Sequence, residues 1–271
     1  MKRVLLIDGD VLAYKFAAGS EESVAWEDPQ HAEDPGIVST YVDLGEAIAH
    51  VDSFIEWMMS EVRANEYQVY LTSSLGNFRN KIWPDYKSNR KGKKKPIALR
   101  ELRNHLMIHH NPVVEDFLEA DDLLGMRMTA PARGEELICA TIDKDLLTIV
   151  GNHYNWDKPE NGIVSVTGKD AGFAFYSQAV SGDPVDGYPG CPKVGAVRAE
   201  RLVADAREQA QAQDLDPHAV VWNAVVLAYE KAGLDEDFAL AQARCARILQ
   251  HGDYNWKTHT VNLWEPTRLE S

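Results

Sequence analysis

A chain of 271 residues, 45% of them hydrophobic, is long enough for one large or two smaller domains with a substantial core. No apolar run approaches the ~20 residues that span a bilayer, and MKRVLLIDGDVLAY meets Asp8 too early for a secretory signal, so a cytoplasmic protein without membrane contact is expected. The formal charge of −14 argues against a surface that is polyanion-binding throughout, and three widely spaced cysteines, Cys139, Cys191 and Cys245, fit reduced buried thiols better than disulfides or a cysteine zinc site.

In chain order, RVLLID (3–8) is a short apolar run ending in an acid, the pattern of a buried strand that delivers Asp8 at its carboxyl end. Residues 20–36 are acidic and turn-rich and read as a surface loop. A helical period over 43–64 precedes a strand-like QVYLT (68–72). Between Arg79 and Arg103 lie ten basic residues against Asp85 and Glu101, a local balance of +8 that leaves −22 on the rest. Such a strip either captures a polyanion at one place or is a solvated loop. Helical period returns over 97–109 and 116–130, followed by a strand-like ELICATI (136–142) and a hairpin or edge strands within 153–167. Strands alternating with helices predict an α/β fold with ligands gathering beyond the strand ends. From about 170 the pattern is helical, broken by GDPVDGYPGCPKVG.

Acids recur at the ends of these elements. DFLEADDLL places Glu119, Asp121 and Asp122 inside an apolar segment; on a helix Glu119 and Asp122 share a face, while Asp121 points about a hundred degrees away. The plain alternative is a helix N-terminus whose dipole favours acids. ATIDKDLLTIV delivers Asp143 and Asp145 with two-residue spacing, and SGDPVDGYPG flanks a tight turn with Asp183 and Asp186. With Asp8 these make eight carboxylates at positions that an α/β sheet brings together. Two like charges ~4 Å apart repel by roughly 4 kcal/mol at an effective dielectric near 20, so such a cluster needs protons or cations. An oxygen-only donor set suits hard ions, Mg²⁺ or Mn²⁺, and two such ions can clamp a phosphodiester.

LLIDGD, FRNKIWPDYKSNRKGKKKP, LEADDLLG, ATIDKDLLTIV and SGDPVDGYPGCPKVGAVRA, in that order, resemble the flap endonuclease and 5′ nuclease family, most closely the 5′-to-3′ exonucleases of tailed phages. The resemblance implies a PIN-like (Rossmann-like) central sheet flanked by helices over 1–170, with a basic arch at about 79–105. A helical DNA-binding region over 171–271 would follow, with a helix-three-turn-helix at about 178–205. It implies two or more Mg²⁺ or Mn²⁺ ions on Asp8, Glu119, Asp121, Asp122, Asp143, Asp145, Asp183 and Asp186, and K⁺ held by backbone carbonyls of the hairpin.

In the arch, Tyr86 and Arg90 would touch substrate and Arg79 or Lys87 would stabilise the scissile phosphate, with Lys91, Lys93 and Lys94 following the strand. Trp83 or Tyr86 could stack on a base or sit in the core. Gly190, Lys193 and Gly195 would meet a duplex phosphate at a helix start, where Gly187 also permits close approach; a Gly-Pro loop joining helices is the alternative. The implied substrate is DNA with 5′ ends, flaps, nicks or gaps, or RNA/DNA hybrids, cut by a monomer in an infected bacterial cell during replication, primer removal or DNA degradation.

One position departs from the family pattern: six residues before Phe78, where an acid is usual, stands Thr72, which predicts one ion held more weakly or through water. Two other readings compete. IDGDV resembles the nucleophile loop of haloacid dehalogenase phosphatases, with Asp8 as nucleophile and Asp10 as general acid. A DNA-binding protein that kept the fold and lost the chemistry is the other.

Overall fold

The computed structural model describes residues 2–26, 37–131 and 134–269. Strand β1 (Lys2–Asp8) lies inside a five-stranded sheet and pairs in parallel with β4 (Glu66–Tyr70) on one side and β5 (Glu135–Ala140) on the other. Beyond β5 come β6 (Gly151–Tyr154), parallel, and β7 (Ile163–Val166), antiparallel, giving the order β4-β1-β5-β6-β7. The strand-like runs of the sequence are thus strands, each displaced by one or two residues.

Alternation along β1 sends its side chains to two cores. Leu5 and Ile7 pack with Leu12 of α1 (Gly9–Gly19), Val51 and Ile55 of α2 (Leu44–Glu61), and Leu102 and Leu106 of α3 (Leu99–His109). Val4 and Leu6 pack on the opposite face with Leu123 and Leu124 of α4 (Ala120–Thr129). Helices therefore cover both faces, which is why β1 reads as an unbroken apolar run. From β1 the chain crosses first to β4 and later to β5, so the switch point of this sheet falls between β1 and β5, where α/β folds hold their ligands.

Four helices follow: α5 (Gly168–Ser181), α6 (Ala196–Gln213), α7 (Pro217–Lys231) and α8 (Glu236–Ala246). They surround their own core of Phe175, Val203, Trp222, Val225 and Tyr229. The chain then returns to the sheet unit. Ile248, Leu249 and Tyr254 join the core beneath α4, and β8 (Tyr254–Asn255) and β9 (Thr260–Val261) form a short hairpin. No described helix is long and apolar enough to cross a membrane.

Two expectations shift. The acidic stretch 20–36 is not loop throughout: Glu22–Trp26 forms β2, paired antiparallel with β3 (Ile37–Tyr41), because SVAW and IVSTY carry β-forming residues that outweigh the flanking acids; residues 27–36 lie outside the described ones. Helix α4 starts at Ala120 rather than 116, because Glu119 is extended at ψ 159° and Phe117 is left-handed at φ 62°.

Candidate active site

The carboxyl end of β1 delivers Asp8, 1% exposed, which caps α1 by accepting from Val11 N at 3.1 Å. Its other oxygen accepts from the Thr141 hydroxyl at 2.9 Å, just past the end of β5. Asp143 follows: its amide donates to Thr141 Oγ1 at 3.0 Å, and its carboxylate caps the 3₁₀ turn Lys144–Thr148 by accepting from Asp145 N at 2.9 Å. Asp121, in the first turn of α4, feels Asp8 and Asp143, and Asp145 feels Asp143 and Asp183.

These acids crowd one another. Burial first, then the charge of Asp143, push Asp8 up to about 6. Burial and the charges of Asp143 and Asp183 push Asp145 up to about 6 as well. Asp121 rises well above the usual carboxylate range through burial, Asp8, Asp143 and Glu119. Carboxylates raised by one another in this way are a donor set short of positive charge, and oxygen donors of this kind fit Mg²⁺ or Mn²⁺. Among the described residues, no three of these acids bring an oxygen within 4.8 Å of each other.

Glu119 and Asp186 belong to a second, neutralised group. Lys87 Nζ contacts Glu119 and lies 3.4 Å from Asp186 Oδ2. Burial would raise Glu119, but Lys87 and Arg79 outweigh it and hold the carboxyl at about 2. The Tyr86 hydroxyl lies 2.9 Å from Glu119 Oε2 and 3.0 Å from Asp186 Oδ2, and Arg90 also pairs with Asp186. Asp183, 9% exposed, accepts from Val185 N at 2.7 Å and shapes the turn that carries Asp186.

Asp122 is elsewhere. Fully buried, it receives both Arg79 guanidinium nitrogens, at 2.7 and 2.8 Å, and the amides of Leu249 at 3.1 Å and Glu119 at 3.2 Å. Asp122 therefore turns to Arg79, while Asp121 lies toward Asp8 and Asp143. Glu119 as the cap and Asp122 three residues on form a capping box and share Arg79 Nη1, so the two stay together but are turned to the guanidinium.

The basic strip also divides. Arg79, 2% exposed, is spent on Asp122, Glu119 and the carbonyls of Cys245 and Arg247, so it does not reach a scissile phosphate in this arrangement. Tyr86 is 5% exposed and stacks on Tyr188 with centroids 6.3 Å apart, so its ring offers no face to a base. Trp83 donates to Gly187 O at 3.0 Å and packs on Phe238. Arg103 pairs with Asp10 and donates to Thr72 O at 2.8 Å. Lys91, Lys93, Lys94 and Lys95 are exposed between the 3₁₀ turn Ser88–Arg90 and α3.

In the hairpin, Gly182 and Gly190 have φ of 69° and 68°, and a Cβ on either would lie 2.3 Å from the other's backbone nitrogen. Gly190 N donates to Gln242 Oε1 at 2.9 Å, so this glycine serves the turn's own packing rather than a phosphate. Gly187 similarly lets the turn approach Asp85 O. Lys193 and Gly195 are exposed, and Gly195 begins α6.

The sequence reading missed Thr141, whose hydroxyl joins Asp8 to Asp143; its place just after the apolar run of β5 was the available signal. It also missed what Thr72 does. Thr72 Oγ1 accepts from Ala120 N at 3.0 Å, and Thr72 N donates to Asp10 Oδ2 at 2.8 Å, so the residue ties the end of β4 to the start of α4.

Comparison with known proteins agrees with this layout. The exonuclease of Escherichia phage T7 is 24% identical over 98% of this chain and 94% of its own length, and the exodeoxyribonuclease of Enterobacteria phage T3 is 24% identical over 98% and 93%. Among solved structures, the zinc-bound 5′-exonuclease of phage T5 superposes with a TM-score of 0.56 at 14% identity, covering 91% of this chain and 99% of that one. A DNA and metal-ion complex of the phage T5 flap endonuclease gives 0.53 at 14% identity over 90% and 93%. These likenesses establish the PIN-like fold. The family profile described as the 5′-3′ exonuclease N-terminal resolvase-like domain matches residues 3–171, and over that majority of its length the chain belongs to the 5′-3′ exonuclease family, enzymes that hydrolyse phosphodiester bonds.

Proposed function

We propose that the crowded carboxylates at the ends of β1 and β5 are the reaction centre of a metal-dependent 5′-to-3′ exonuclease and flap endonuclease acting on DNA with 5′ ends, flaps, nicks or gaps. The observation that carries this reading is the gathering of Asp8, Asp121 and Asp145 around Asp143 at the switch point of the sheet, where burial and the acidic neighbours raise each carboxyl above its ordinary value. Asp8, Asp121, Asp143, Asp145 and Asp183 would hold Mg²⁺ or Mn²⁺, with Glu119 and Asp186 joining when Lys87 turns to substrate. Bound there, such ions lower the pKa of a water and offset charge on the phosphodiester.

The chain's own groups supply the rest. Lys87, raised above its ordinary value because Glu119 and Asp186 outweigh its burial, stays charged and meets the scissile phosphate. Lys91, Lys93 and Lys94, with Arg90, follow the 5′ single strand. Lys193 and the open first turn of α6 at Gly195 take a phosphate of the duplex. In this assignment residues 1–170 cut and 171–271 grip, with the helix-three-turn-helix at about 178–205 and K⁺ at its hairpin. Work as a monomer in phage DNA replication or degradation, in the cytoplasm of an infected cell and also on RNA/DNA hybrids, follows from the same resemblance.

The phosphatase alternative fits less well, because its general acid Asp10 is held by Arg103 and Thr72 N. Labelled flap, gapped and nicked duplexes, incubated with Mg²⁺ and with EDTA, test the proposal. Release of 5′-phosphorylated fragments only with Mg²⁺ is expected. Intact duplexes beside a trapped phospho-aspartyl enzyme would overturn it.

A further inference from the structure

A second ligand set lies away from the acids. Asp52 in the middle of α2, His105 in α3 and His110, which ends α3, converge so that one atom from each lies within 4.8 Å of the other two. Both His105 Nε2 and His110 Nε2 point at Asp52 Oδ1, at 2.7 and 2.9 Å, and lie 3.4 Å from each other. The imidazoles are sheltered, with side chains 10% and 9% exposed. Tyr67 of β4 places its hydroxyl 3.0 Å from His110 Nδ1, which fixes that ring with Nε2 turned inward.

We propose that Asp52, His105 and His110 form a transition-metal site, best suited to Zn²⁺, that clips α3 to α2. Hydrogen bonding alone requires two Nε2–H groups, almost in contact, to share one carboxylate oxygen. A metal ion explains the convergence more simply. Nitrogen ligands ~2.0–2.1 Å from Zn²⁺ stand about 3.3 Å apart in a tetrahedron, matching the observed separation, and a small withdrawal of Asp52 completes three corners with a water at the fourth.

Asp52 already turns one carboxylate oxygen to both imidazoles, the position an anionic third ligand would take. The Tyr67 hydroxyl is the outer partner that metal-bound histidines usually have. Imidazole donors separate this site from the all-oxygen set, which favours Mg²⁺. It is also displaced along the sheet: Tyr67 pairs with Leu5, three residues before Asp8 on β1, roughly 10 Å along the strand. Helix α3 follows the arch and carries Arg103, which holds Asp10 and Thr72. An ion here would fix the helix from which the arch is suspended.

Calorimetric titration of Zn²⁺ into the full chain, with Mg²⁺ in large excess to compete for the acidic set, tests the site. The wild type should bind a single Zn²⁺ with micromolar or tighter affinity, His110→Gln and Asp52→Asn should abolish that phase, and Tyr67→Phe should weaken it ~10-fold. Absence of the phase in the wild type, or its survival in folded His110→Gln, overturns the proposal. X-ray absorption of the zinc-loaded wild type decides the matter even where a variant fails to fold. Two imidazole nitrogens about 2.0 Å from zinc support the site, and an all-oxygen shell overturns it.

Discussion

Asp121 and Asp122 are neighbours in sequence with opposite surroundings. Asp122 meets a buried guanidinium with four donors around it, while Asp121 meets mainly other acids, with Lys87 the opposing charge. Removing the Asp122 charge would take the bidentate partner from a buried Arg79 and leave it only Glu119 as counter-charge, a loss of about 3 kcal/mol. The acidic set behaves in the opposite way. Asp145 keeps its proton in the folded chain up to about 6, whereas the unfolded chain releases it near ~4. The folded state therefore binds more protons across that interval, and the Asp145 contribution to stability falls as pH rises through it. Asp145→Asn should raise the melting temperature of the metal-free protein at about pH 7 and leave it nearly unchanged at about pH 4. Comparing variant with wild type at each pH cancels His153, whose pKa is lowered by burial and whose effect has the opposite sign. An equal shift at both pH values would remove like-charge crowding as the cause.

At the scale of elements, the basic strip holds several parts. Its first member, Arg79, is structural, Lys87 faces the acids, and Arg103 braces α3 against the end of β4. Lys91, Lys93 and Lys94 are exposed, and among the described contacts none forms an ion pair. Replacing these three by alanine should weaken binding of DNA with a 5′ single strand and lower its logarithmic salt dependence by about 2, at ~0.7 per phosphate contact. Unchanged affinity for the flap across a salt titration would exclude them from the strand's path.

Strand positions and the carboxyl-end acids were legible because apolar runs ending in Asp8 and Asp143 report burial and direction together. The fates of Arg79 and Tyr86 were not legible. Each is decided by partners more than thirty residues away, Glu119, Cys245 or Tyr188, and local pattern carries no record of them. Thr72 shows the same limit: it departs from the family pattern in sequence, yet in the fold it satisfies the first amide of α4.

At the scale of the molecule, Arg79 joins the units. It reaches from the start of the basic strip to the carboxylates of Glu119 and Asp122 and to the carbonyls that end α8, where the chain returns beneath the sheet. The helical region is thereby fixed to the same helix that presents Asp121, and the hairpin carrying Asp183 and Asp186 lies beside Asp145 and Lys87. The central claim is that this frame holds Asp121 for the reaction rather than for folding or docking. Single-turnover cleavage of a 5′-flap DNA in saturating Mg²⁺, measured with the flap affinity and melting temperature of the same Asp121→Asn protein, tests it most directly. Cleavage should slow by about 10²-fold or more, a loss near 3 kcal/mol of transition-state stabilisation, with affinity and melting temperature retained. Cleavage at the wild-type rate, or a loss explained entirely by weaker binding or unfolding, would contradict it.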